Sequence, residues 1–132
     1  MELWAAAKLY LAAAGASYFR MTYEPSWERF EATAPDGKLL PVEFVRAGFL
    51  TAGDQPELYF FRVAGEQVVV GISGSALRRF EEGRRLTREE KTDLAGLMLK
   101  RQIEAGTTLD SQNLFIRDSE LARLASDLGF PS

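Results

Sequence analysis

Apolar and polar residues change their spacing twice along this chain, and the changes divide it into three stretches. From Leu3 to Phe19 (LWAAAKLYLAAAGASYF) apolar residues fall on most sides of a helix. Leu3, Ala6, Ala7, Tyr10, Ala13 and Ala14 share one face at i, i+3, i+4 and i+7 spacing, while Trp4 and Leu11 form a second apolar side near Lys8. Ala and Leu are strong helix formers, so the stretch predicts an N-terminal helix. A helix apolar on most sides must be covered on most sides, by its own domain or by a second chain. Pro25 ends the stretch by restricting the residue before it.

The second stretch alternates with a period of two. Trp27–Thr33 leads into Ala34-Pro35-Asp36-Gly37, where Pro presets φ and Gly accepts a positive φ. Leu39–Val45 follows, with Leu40, Val42 and Phe44 alternating against Pro41 and Glu43. Pro41 cannot donate to a ladder, so this strand is expected at an edge or bulged. Leu58–Val63 and Gln67–Ile72 flank Ala64-Gly65-Glu66 as a tight hairpin. The expectation is an antiparallel meander of about four strands.

After Ser73 the period lengthens to that of helices. Ser73 or Ser75 can cap a short helix over Ala76–Glu82 that stops at Gly83. Thr87 and Glu90 have the spacing of a capping box and open the longest helix, about 88–105, with Gly106 at its end. Leu114-Phe115-Ile116 reads as a short last strand, and Asp118 or Ser119 caps a terminal helix bearing Leu121, Leu124, Ala125 and Leu128. The fold class is therefore α+β: one domain over residues 1–132, with two to three C-terminal helices packed on one face of the sheet.

Composition narrows the chemistry more than it changes this picture. The 132 residues include no His and no Cys. That excludes disulfides, thiolate nucleophiles, Cys- or His-ligated metals and any His-based catalytic triad. An apolar share of 46% with 27% charged residues is that of an ordinary globular chain. The net charge of −3 provides no general basic surface for a phosphate backbone. Arg78, Arg79, Arg84, Arg85, Arg88 and Lys91 do cluster, but Glu81, Glu82, Glu89, Glu90 and Asp93 interleave with them. Solvated faces with pairs such as Arg78–Glu82 and Arg85–Glu89 are the simpler account, and no nucleic-acid partner is expected. The N-terminal run lacks a basic leader and is split by Lys8, short of the roughly 20 apolar residues a membrane span needs, so neither export nor membrane insertion is expected. The absence of Cys fits a cytoplasmic protein.

Carboxylates, Ser, Tyr, Lys and Arg remain for chemistry. Gly71–Arg79 is the one place where the backbone would help them. It reads strand, Gly/Ser turn, helix, and Ser73, Gly74 and Ser75 would present N–H and hydroxyl donors to an anion within reach of Arg78 and Arg79. It lacks the Lys of a phosphate-binding loop, and its Gly71-Ile72-Ser73-Gly74-Ser75 is not a nucleophile elbow. No catalytic residue, metal or cofactor is assigned. Tyr59-Phe60-Phe61 puts rings on both faces of one strand, which marks a central strand or an interface. The favoured reading is a non-catalytic interaction module that binds a protein partner or itself through Trp4, Leu11, Tyr59 and Phe61. The alternative is an anion- or nucleotide-binding protein, or small hydrolase, at Gly71–Arg79.

Overall fold

The computed structural model describes residues 27–49 and 54–130. The helix expected over 3–19 lies outside the described residues. Five strands, rather than about four, form one sheet in the order β1 (Arg29–Thr33), β2 (Leu39–Phe49), β3 (Glu57–Val63), β4 (Glu66–Ile72) and β5 (Phe115–Ile116). The first four are the expected antiparallel meander. The fifth pairs parallel with β4, Gly71 opposite Phe115 and Ile72 opposite Ile116. A parallel neighbour requires a crossover, and helices α1 (Gly74–Phe80) and α2 (Arg88–Ala105) supply it. Helix α3 (Asp118–Asp127) follows β5.

Local chemistry sets the turns. The β3–β4 hairpin has two turn residues, Ala64 at φ 50° and Gly65 at φ 89°. Both are positive because the mirror-image turn matches the twist of the flanking strands. Strand β2 is longer than its alternation indicated, because a register shift between Phe44 and Arg46 leaves Val45 as a bulged extra residue. The bulge resets the parity: Phe44 pairs with Phe61, whereas Arg46 pairs with Phe60 and Ala47 with Tyr59. Pro41 lies in a strand with neighbours on both sides, not at the sheet edge. The missing N–H is tolerated because the β2–β3 ladder starts only at Val42; next to it the Pro41 carbonyl still accepts from Ala64 N at 2.9 Å, a bond that needs no donor on Pro41.

Helix α2 begins in the expected capping box. Glu90 N donates to Thr87 Oγ1 at 3.1 Å, and Thr87 N donates to Glu90 Oε1 at 2.9 Å. Gly106 ends the helix at φ 75°. Helix α3 is capped from Arg117 rather than from Asp118 or Ser119, with Arg117 N donating to Glu120 Oε1. The helices cover the sheet face that carries Phe30, Val42, Tyr59, Phe61, Val70 and Ile72. Leu77, Leu94, Leu99, Leu121 and Leu124 complete the same core. Each such side chain contributes about 1.5–3 kcal/mol when withdrawn from water.

Candidate functional site

The Gly71–Arg79 junction folds as strand, turn and helix, and its donors are already engaged. Ser73 Oγ accepts from Ala76 N at 3.2 Å, as an N-cap should, and lies 3.1 Å from Ser75 Oγ. Ser75 N donates to the Asp54 carboxylate at 3.2 Å. The segment at 54–55 crosses so close to Gly74 that a Cβ there would meet the carbonyl oxygen of Asp54 and come within 2.6 Å of that of Gln55. The glycine therefore makes room for a neighbouring backbone, and that neighbour brings an anion of the chain's own. Ser73 is buried. Arg79 pairs with Asp118 across to α3. Arg78 is exposed, with no ion pair among the described residues. The expected pairs Arg78–Glu82 and Arg85–Glu89 do not form among the described residues. Arg84 instead reaches Glu90 at 2.5 Å, and Lys91 reaches Glu57 at 3.2 Å.

Of the four residues expected at an interface, Trp4 and Leu11 lie outside the described residues. Tyr59 and Phe61 are 2% and 0% exposed and point into the helix-covered core. Phe61 packs edge-on against Phe44, and the Tyr59 hydroxyl donates to Glu57 Oε1 at 2.8 Å. Burial, and then that hydrogen bond, push the Tyr59 hydroxyl far above its ordinary titration range, so it remains a neutral donor. Their parity selects the inner face. The ring between them, Phe60, stands on the outer one.

No described helix covers that outer face. Two rows of residues run across it. In the first, Arg46, Phe60 and Val69 are register partners on β2, β3 and β4, and the Arg46 guanidinium sits 3.9 Å over the Phe60 ring. In the second, Gly48, Leu58, Gly71 and Phe115 follow one another from β2 to β5. Gly71 has no side chain because the Phe115 ring lies over it, 2.8 Å from where a Cβ would stand; Leu58 closes the other side at 3.7 Å. Arg117 lies 4.9 Å over the Phe115 ring. The result is a shallow apolar band with Leu58 as a ridge and a flat guanidinium at each end. At one edge, Arg29 and Arg62 both pair with Glu43. The apolar side chains of the band are half-buried, Val45 is 43% exposed, and no described helix lies over it.

The expected interface residues Tyr59 and Phe61 thus lie on the inner face of β3, and Leu58 and Phe60 on the outer one. Outward Leu58 and Phe60 follow once Tyr59 is assigned to the core. Phe115 and Arg117 leave no such trace, since they reach this face only through the parallel pairing of β5. No protein-family model, curated protein or solved structure matches this chain. Among the described residues, no helix is long and apolar enough to cross a membrane, and no cluster of acidic side chains is placed to hold a metal ion.

Proposed function

We infer that this domain is a non-catalytic interaction module that associates with a second copy of itself through the outer sheet face. The observation that supports this reading is the continuous band from Gly48 through Leu58 and Gly71 to Phe115, ended by Arg46 and Arg117 stacked on their rings. Gly48 leaves low ground on one side of the Leu58 ridge, while the Phe115 ring fills the place of a side chain at Gly71 on the other, so a two-fold partner can seat its own ridge beside Gly48. A two-fold interface must be self-complementary in this way. The Arg29–Glu43–Arg62 group carries both signs, so Glu43 of one copy can pair with an arginine of the other. Arg and aromatic side chains are also those enriched where such interfaces bury the most energy.

Sedimentation velocity over a concentration series tests this. The native chain should shift from monomer toward dimer mass as concentration rises, and Leu58→Glu should stay monomeric with an unchanged circular dichroism spectrum. A native chain that is monomeric up to about 100 μM, an energy scale of roughly 5–6 kcal/mol, would falsify the reading. Equal dimerisation by the Leu58→Glu variant would do the same. Anion binding at Ser73, Gly74, Ser75, Arg78 and Arg79 is the weaker reading, because an incoming anion would have to displace Asp54 from Ser75 N.

A further inference from the structure

On the opposite, helix-covered side, the far end of the sheet opens into a cavity of about 370 Å³ lined by Ala47, Gly48, Phe49, Glu57, Tyr59, Arg88 and Lys91. Its carboxylate already has partners within the chain. Glu57 takes the Tyr59 hydroxyl on one carboxylate oxygen and Lys91 Nζ on the other, at 2.8 and 3.2 Å. Glu81 lies 3.9 Å from the same ammonium and accepts from Leu86 N. Arg88 differs. It is exposed, lines the cavity and forms no ion pair among the described residues, so its donors are unspent. The opposite wall is apolar: the Phe49 ring is 71% exposed, beside Ala47.

The geometry points to a binding site for a small organic carboxylate with a flat apolar body. The carboxylate would take the Arg88 fork in bidentate fashion, and the body would lie against Phe49 and Ala47. Lys91 is not free to replace Arg88, because Glu57 and Glu81 hold it and outweigh its charge, which leaves Arg88 as the group that would attract an anion. A cationic ligand would have to compete with Lys91 and the Tyr59 hydroxyl, which already occupy one site on each Glu57 oxygen. The volume is at the small end of ligand cavities, which run from about 300 to 1,000 Å³, and so suits a single-ring acid. Apart from Gly48, which borders both, the cavity shares no residue with the band used for self-association on the other face of the sheet.

Benzoate, acetate and benzylamine titrated into isotope-labelled protein, followed by amide chemical shifts, test the site. Benzoate should produce saturable shifts at Gly48, Phe49, Glu57 and Arg88 with a Kd of about 1 mM, acetate should bind at least about tenfold more weakly, and benzylamine should not bind. Arg88→Leu should weaken benzoate by about tenfold or more. Arg88→Lys should recover only part of that, because an ammonium keeps the charge and loses the fork. Phe49→Ser should weaken benzoate while leaving acetate unchanged. The inference is overturned if benzoate gives no saturable shift at these amides, if Arg88→Leu binds it as the native chain does, or if benzylamine binds equally well. Each variant changes an exposed side chain, and an unchanged amide spectrum without ligand shows that it is folded.

Discussion

At the residue scale, Gly74 and Asp93 have consequences that their own types do not announce. Gly74 is fixed by the backbone of 54–55 passing against it, and backbone cannot move aside as a flexible side chain can. Gly74→Ala should therefore destabilise the domain by about 2–4 kcal/mol, the range of overpacked or strained core sites, measured from the midpoint of urea unfolding. The same substitution in a solvent-facing helical position would stabilise. Asp93 sits in the second turn of α2. Burial first, and then the carboxylates of Glu28, Glu90 and Glu89, push its pKa up to about 6. The folded state therefore holds this proton more tightly than the unfolded chain, where Asp titrates near 3.9. The resulting stability is fully present below about pH 4 and is lost as the pH rises through about 6. Asp93→Asn should abolish that loss and make the domain more stable at pH 7, by about 1–3 kcal/mol. Thermal unfolding at pH 5 and pH 7 measures both, and equal pH slopes in the two proteins would contradict it.

At the element scale, the turns and caps were the most legible parts of the chain because they depend on neighbours in sequence. Thr87 and Glu90 satisfy each other's backbone over three residues, and nothing distant takes part. Thr87→Ala should cost about 1 kcal/mol. The β3–β4 hairpin adds an opposite prediction. Ala64 holds φ 50°, where its Cβ costs roughly 1 kcal/mol that Asn or Gly avoids. Ala64→Asn should raise the unfolding midpoint, equivalent to about 0.5–1 kcal/mol. By contrast, the Val45 bulge left no trace in the alternation of Leu40, Val42 and Phe44, since a bulge is a relation between two strands. Its effect is to reset which side chains share a face: Arg46 pairs with Phe60 and Gly48 with Leu58 on the outer face, while Ala47 lies opposite Tyr59.

For the whole molecule, the β5 pairing joins the C-terminal segment to the meander. Gly71 N donates to Leu114 O at 2.8 Å and Ser73 N to Ile116 O at 2.9 Å, between residues more than 40 apart. These bonds break only if the crossover α1–α2 detaches. The Gly71 and Ser73 amides should therefore exchange with solvent at the slow rate set by global unfolding, while the Gly37 amide in the first turn exchanges much faster. Hydrogen exchange followed by NMR checks this. Fast exchange at Gly71 would mean that β5 frays independently, and the Phe115 end of the outer band with it.

The alternation of Trp27–Ile72, the capping box at 87–90 and the glycines after Ala64 and Ala105 were sufficient to determine four strands, three helical segments and their order. Those signals are local, written over two to four residues. The absence of His and Cys likewise set the available chemistry without reference to any fold. The tertiary structure decided what each face does. It set Tyr59 and Phe61 inside and Phe60 outside, placed the Asp54 carboxylate at the turn that an external anion would have used, and brought Phe115 onto Gly71. It also left Arg88 without an ion pair among the described residues, on the cavity that Phe49 lines. These outcomes depend on which distant segments approach one another, and no periodicity within a segment encodes its neighbour.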